Sequence, residues 1–322
     1  ISRVKARQDD RMTYTILLTA KGQHEDVVEG FRAGADDYLT KPCDRDELHA
    51  RLNVGRRILQ LQADVSDRLH EIRDTLIHIH EAFLVGALPK SPEGWETAAG
   101  TRPFAEISGD FYDFYPQSGG CFDVVVGDVM GKGMRAALMG AATVTGFLRS
   151  LHTLTVESPQ DGLSPSLDRI VGRLRDRLFP RLSGMEAFVT LCYGRCDGRR
   201  GTFSMVDCGH DKPYLVRADG NLERLSGSNL PLGILSDEEY GVVQAELAPG
   251  DAVVLLTDGV SELVTPEGNQ FGDERLPALL SRCGGAEPQA VVDGLFAELV
   301  ALGAEGRLSD DATCVVLKRS TA

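Results

Sequence analysis

Between about residue 52 and residue 85 the chain carries no proline and a single glycine, Gly55, and its apolar residues fall at helical spacing. Ile58, Leu61 and Val65 are three and then four apart; Leu69, Ile72, Leu76, Ile79 and Phe83 follow the same alternation after one four-residue step. Such a stripe is a heptad seam with one stutter, which locally unwinds a coiled coil. A helix of this length exceeds the usual globular range, so it is expected to join folding units rather than lie inside one. The spacing suits a parallel dimer linker over 53–88; an amphipathic helix lying on its own domain is the alternative. His70, His78 and His80 share no ligand-spaced face and are expected to be exposed. "ALPKSPEGW" then stops the helix with two prolines.

Ahead of the linker, "YTILLT" reads as a short buried strand, and "HEDVVEGFRAGA" has helical spacing at Val27, Val28 and Phe31 before Gly34 stops it. "DYLTKP" is a second strand, and "DRDELHARLNVG" a second helix capped by Asp44 with Glu47 three residues on. Strand, helix, strand, helix is the second half of a doubly wound α/β domain. "LLTA" followed by "GFRAGADDYLTKPCDRDELHARL" resembles the C-terminal half of a response-regulator receiver domain. Thr19 matches the family's switch hydroxyl, Tyr38 its aromatic switch and Lys41-Pro42 its Lys-Pro pair, whose peptide bond is often cis. The resemblance implies a phosphoacceptor that would lie upstream; Asp9 and Asp10 sit in a polar loop and do not match it. Residues 1–52 alone are therefore not expected to accept a phosphate, and an upstream histidine kinase is expected only where the full receiver is present.

The 322 residues suffice for two domains, and no apolar run approaches the length of a membrane span. A formal net charge of -14 argues against an electrostatic grip on nucleic acid and suits divalent cations. The seven cysteines are dispersed, with no CxxC pair and no His spacing for zinc, as reduced thiols in a cytoplasmic protein would be. Cys192 and Cys196, in "FVTLCYGRCDG", are expected in a strand running into a turn.

Past residue 95 the pattern is of strands and Gly-rich turns, with helical stretches near 133–151 and 166–178. Four aspartate-bearing turns follow in order: "ISGDFYD", "VVVGDVMGKGMRAALM", "VVLLTDGVSE" and "LSDDATCVVLK". In the first, Ile107, Phe111 and Tyr115 share an alternating face, with Phe114 out of phase. Asp is depleted in strands, so its recurrence at strand ends points to a site where side chains converge. Hard cations such as Mg²⁺ and Mn²⁺ take oxygen ligands, and two of them can share and activate a bridging water without a protein nucleophile. Ser150 and His152 have no matching acid, and no G-x-S-x-G elbow occurs.

The order and wording of these motifs, with "CGHDKPYLV" and "LPLGI", resemble the metal-dependent protein phosphatases of type 2C in their bacterial SpoIIE-like branch, over about residues 95–319. The resemblance implies an α-β-β-α sandwich over 89–322, two Mg²⁺ or Mn²⁺ ions, and Asp110, Asp128, Asp258 and Asp310 as ligands acting through metal-bound water, with the Val129 carbonyl as a backbone ligand. Asp113 matches the family's trailing acid, a structural residue, and Gly109 lets the chain approach the metal. Lys132 stands where family members carry His or Lys; facing phosphate and facing solvent are both open. His210 is expected to be structural, and Arg173, Arg175, Arg177 and Arg181 to be a solvated face beside a charged loop, "RLFPRLSGMEAF". The family's eukaryotic phosphate-binding arginine has no counterpart.

The expectation is a response regulator with a serine/threonine phosphatase output, homodimeric through its linker and without membrane or nucleic-acid partners. Its implied substrate is a phosphorylated STAS-type anti-sigma-factor antagonist. The alternatives are a catalytically inactive phosphatase-fold interaction module and a hydrolase of small phosphoesters.

Overall fold

The computed structural model describes residues 13–20, 24–89, 92–104, 107–157, 164–266, 268–302 and 308–321. Asp9 and Asp10 lie outside the described residues. The chain forms two compact units, Ile1–Thr75 and Leu76–Ala322.

In the first unit, β1 (Ile16–Thr19) and β2 (Asp37–Thr40) pair in parallel, Ile16 opposite Asp37 and Thr19 opposite Thr40. The helix α1 (His24–Arg32) lies between them in sequence, and Gly34, at φ 94°, takes the left-handed turn that stops it. Asp36 ties the start of β1 by accepting hydrogen bonds from the Thr15 backbone N–H and hydroxyl, each 2.8 Å. The Lys41–Pro42 peptide is cis. Asp44 caps the next helix, its Oδ1 accepting the N–H groups of Asp46 at 2.8 Å and Glu47 at 3.1 Å. That helix, α2, runs unbroken over Arg45–Phe83, 39 residues, so the receiver-type helix and the linker helix are one. Ile58, Leu61, Val65, Leu69 and Ile72 are exposed along it. His70 and His78 are also exposed, whereas the His80 side chain lies outside the described residues.

The second unit holds two five-stranded antiparallel sheets. One has the order β10-β7-β6-β5-β4, built from β4 (Phe111–Pro116), β5 (Cys121–Val129), β6 (Val189–Asp197), β7 (Thr202–Cys208) and β10 (Val243–Glu246). The other has the order β3-β12-β11-β8-β9, from β3 (Trp95–Arg102), β8 (Tyr214–Val216), β9 (Leu222–Arg224), β11 (Ala252–Leu256) and β12 (Ala312–Arg319). Helices α3 (Met134–Glu157) and α4 (Leu167–Gly184) cover the first sheet, where Phe147, Ile170 and Leu174 share a buried cluster with Phe111, Val125 and Tyr193. The helices α6 (Arg275–Arg282) and α7 (Pro288–Leu302) cover the second, packing Leu276, Leu280, Leu295 and Leu299 onto Val254, Cys314 and Val316. A third cluster, with Phe122, Val124 and Val126 against Leu255, Val315 and Leu317, fills the space between the sheets. The layers are thus helix, sheet, sheet, helix, as expected. Because each inner strand is buried on both faces, "FDVVVGDV" and "DAVVLL" read as continuous apolar runs.

In β4 the alternating face holds, with Phe111 and Tyr115 facing the helices, and the out-of-phase Phe114 is buried with Tyr112 between the sheets, so both faces of the strand are covered. Two local expectations need correction, both on α4. The stretch through "RLFPRLSG" is helix rather than loop: α4 continues past Pro180 because Leu174, Leu178 and Leu182 keep one face buried. On that helix Arg175 is not solvated, its guanidinium donating to the Glu238 carbonyl and pairing with Asp176 at 2.7 Å. Cys192 and Cys196 are buried free thiols inside β6.

The chain leaving α2 joins the first sheet. Tyr112 N–H donates to the Leu84 carbonyl at 2.9 Å, and Gly86 N–H to the Tyr112 carbonyl at 2.8 Å. Val85 forms a parallel bridge with Tyr112, and Leu84 is completely buried.

Candidate active site

Asp110 immediately precedes β4, and Asp128 is the next-to-last residue of the neighbouring β5. Asp258 opens the short helix α5 (Asp258–Ser261) after β11, and Asp310 lies in the turn before β12. Since β4 pairs with β5 and β11 with β12, both in antiparallel register, two carboxylates come from each sheet and meet at one end of the sandwich.

Contacts far apart in sequence lock the sheets together there. Asp110 Oδ2 accepts hydrogen bonds from the Thr257 and Thr313 hydroxyls, both 2.7 Å. Thr257 Oγ1 also accepts the Thr313 backbone N–H at 2.9 Å, so one hydroxyl joins three elements. Asp311, buried, spreads its carboxylate over two N–H groups of the loop ahead of β4, those of Phe104 at 2.8 Å and Gly109 at 2.9 Å. Close approach favours glycine at Gly109 and requires it at Gly259. A Cβ on Gly109 would stand 3.0 Å from the Ala136 Cβ, 3.3 Å from the Val129 carbonyl oxygen and 3.5 Å from Asp128 Oδ1, which shows how tightly that loop abuts Asp128 and Val129. A Cβ on Gly259 would collide with the Asp311 carbonyl, so any larger residue would push the Asp258 turn off the Asp310 turn.

Burial makes the carboxylates costly to ionise together. The carboxyl of Asp110 is pushed up to about 7, chiefly by desolvation, against the two threonine hydrogen bonds and with added repulsion from Asp311 and Asp258. That of Asp128 is pushed up to about 9 by desolvation and then by Asp110, Asp258, Asp310 and Asp311. Asp258 is raised too, by burial first and Asp310 next. Asp110 Oδ1 is buried and has no hydrogen-bond partner. An orphaned carboxylate oxygen among mutually repelling carboxylates is a donor set that fits a hard divalent cation in kind. Among the described residues, no three Asp, Glu, His or Cys side chains are already drawn into a closed cage. Asp310 pairs with the Lys132 ammonium at 2.8 Å.

Other candidates fall outside this cluster. Asp113 lies within β4, its Oδ1 accepting the Phe114 N–H at 2.8 Å. His210 is buried, donates its backbone N–H to Asp207 at 2.9 Å, and places Nδ1 3.0 Å from the Thr190 hydroxyl. Burial pulls its imidazole down to about 4 against the nearby Asp211 and Asp207 charges, so it is neutral around pH 7. Ser150 donates to the Gly146 carbonyl at 2.8 Å inside α3 and is no nucleophile. Sequence reasoning missed Thr257, Thr313 and Asp311; the only signal was their adjacency to the motif aspartates in "LLTDG" and "DDAT". Thr257→Val removes a buried hydroxyl, takes one of the two donors from Asp110 Oδ2 and orphans the Thr313 N–H. The variant is expected to lose about 1–3 kcal/mol of stability, measured by urea unfolding.

With its two five-stranded sheets and flanking helices, the sandwich has the fold of the PP2C phosphatase domains. The SiaA-PP2C domain of Pseudomonas aeruginosa aligns with a TM-score of 0.64 at 20% identity, over 80% of this chain and 98% of that one. The family model for Stage II sporulation protein E (SpoIIE) matches residues 118–320, and the chain belongs to that family. The response regulator receiver domain model matches residues 1–53. Among relatives, protein IcfG of Synechocystis is 25% identical over 259 residues, 75% of this chain and 40% of that protein. The phosphoserine phosphatase RsbU of Bacillus subtilis is 27% identical over 238 residues, 73% of this chain and 67% of RsbU. The chain thus spans well under half the length of IcfG.

Proposed function

We propose that the sandwich is a Mg²⁺- or Mn²⁺-dependent serine/threonine protein phosphatase serving as the output of a response regulator. The observation that carries this reading is the meeting of Asp110, Asp128, Asp258 and Asp310 at one end of a SpoIIE-family fold. The phosphoserine phosphatase RsbU among its relatives supports the class of substrate. Asp110, Asp128 and the Val129 carbonyl would hold one ion, and Asp258 and Asp310 would complete the second. When bound, the ions would supply a water of lowered pKa and neutralise phosphoryl charge.

The chain's own part is positioning. Thr257 and Thr313 occupy Asp110 Oδ2 and thereby leave Oδ1 as the oxygen that faces no protein donor. Asp311 holds the loop that carries Asp110 against Asp128, and Gly259 lets the Asp258 turn sit on the Asp310 turn. Second-layer contacts of this kind set ligand orientation as much as the ligands do.

The substrate best suited to this family reading is a phosphoserine or phosphothreonine on a STAS-domain protein, with a histidine kinase upstream where a full receiver is present. The proposed division is 1–52, 53–88 and 89–322. Among the described residues no helix is long and apolar enough to cross a membrane, and the free thiols suit a cytoplasmic setting. The exposed seam Ile58, Leu61, Val65, Leu69 and Ile72 supports a homodimer through α2. Cysteines placed along 58–83 are expected to crosslink between copies; absence of any pairing would count against the dimer.

Hydrolysis of a phosphoserine peptide with Mn²⁺, and after removal of the ion by EDTA, tests the activity. Turnover is expected only with the ion. An inactive interaction module would instead bind partners with no turnover under either condition.

A further inference from the structure

Lys132 lies in the turn between β5 and α3, and its ammonium has three partners. It pairs with Asp310 Oδ2 at 2.8 Å, donates to the Ser309 carbonyl at 3.0 Å and stands 4.6 Å from the centre of the Phe104 ring. Phe104 belongs to the loop that Asp311 fastens ahead of Asp110, and Ser309 directly precedes Asp310. The side chain therefore crosses from the Asp128 motif to the Asp310 motif and places a positive charge on one of the four clustered carboxylates. Its partners are a carboxylate, a carbonyl and an aromatic face, all acceptors for a cation.

We infer that Lys132 is a tethered counter-cation that competes with a divalent ion for the Asp310 carboxylate and must leave it when the ion binds. The inference rests on the metal reading above. The other oxygen of this carboxylate, Oδ1, already accepts the Asp311 N–H at 2.9 Å, so Lys132 holds the oxygen left for an ion, and an ammonium and a divalent ion drawn to the same carboxylate repel each other. The exchange is feasible because the pair is half open to water, with side-chain exposures of 47% for Lys132 and 42% for Asp310, and an ion pair of that exposure is weak. Lys132 thus keeps the acidic cluster partly neutralised without the ion and sets a threshold for loading the Asp310 site.

Mn²⁺ binding to the full chain, followed by titration calorimetry and by the electron-paramagnetic-resonance signal of free Mn²⁺, tests this without any turnover. Lys132→Met is expected to tighten the weaker Mn²⁺ site about three- to fivefold, the scale of a half-exposed ion pair. In an Asp310→Asn background the same substitution is expected to change nothing, since the carboxylate under competition is gone. Equal or weaker Mn²⁺ binding by Lys132→Met, with the native chain binding Mn²⁺, would overturn the exchange and leave the metal reading standing. Failure of both chains to bind Mn²⁺ would overturn the two together. Circular dichroism of each variant confirms that the fold is retained.

Discussion

Replacing Asp128 with Asn is expected to reduce Mn²⁺-dependent hydrolysis of a phosphoserine peptide by on the order of 10³-fold, with far less change in thermal stability. The magnitude follows from the several kcal/mol that metal ions contribute to a phosphoryl transition state, at about 1.4 kcal/mol per tenfold in rate. Asn keeps the shape of Asp and removes the charge, and Asp128 lies at the centre of a group whose members all push against it. Relief of that repulsion keeps the variant folded, which separates a lost ligand from a lost fold. Asp113→Asn is the matched control: Asp113 sits within β4 and serves the Phe114 N–H, which an amide oxygen also accepts. Parallel assays of the two variants check the assignment, since comparable losses in both would mean that the Asp128 loss reflects a disturbed sheet rather than a lost metal ligand.

The largest loss of stability is expected at a carboxylate remote from the chemistry. Asp123, completely buried in β5, takes a fork from Arg195 with bonds of 2.6 Å and 2.8 Å, the Gln117 amide at 2.8 Å and the Tyr193 hydroxyl. Truncation to Ala would leave a largely buried guanidinium, with 17% of the side chain exposed, facing no anion. The cost is expected to be about 3–5 kcal/mol, the usual penalty for breaking a buried ion pair from one side. Denaturant unfolding of Asp123→Ala measures it. A double change that also replaces Arg195 by Leu is expected to recover part of the loss, because no unpaired charge then remains buried.

How much of this was legible in the sequence depends on the range of each contact. The four motif aspartates could be picked out because each is announced locally at a strand end: Asp128 and Asp258 beside a glycine where a strand stops, Asp110 after Gly109 and Asp310 in the turn, each just before a strand begins. The long helix was legible for the same reason, its heptad spacing being a property of neighbours. Thr257, Thr313 and Asp311 were not legible, since their meaning lies in partners well over a hundred residues away: Asp110 for the threonines, and Phe104 and Gly109 for Asp311. The Lys132 to Asp310 pair is hidden in the same way. The charged-loop reading of "RLFPRLSGMEAF" failed because its charged residues were outweighed by the buried face of Leu174, Leu178 and Leu182, which carries α4 past Pro180. Alternation places Phe114 on the other face of β4 but does not tell that this face is buried, because alternation presumes one wet face and β4 has none.

The backbone exchange of Leu84 and Gly86 with Tyr112 bears on how the sandwich keeps to itself. In its sheet β4 is the outermost strand, paired only with β5 along its other side. An outermost strand offers unused N–H and C=O groups to any passing chain. The segment arriving from α2 fills part of that row, and Leu84 closes over it. A fragment cut to begin after Gly86 would bare this margin two residues from Asp110, and the same groups that now hold the incoming chain would be open to the strand of another molecule.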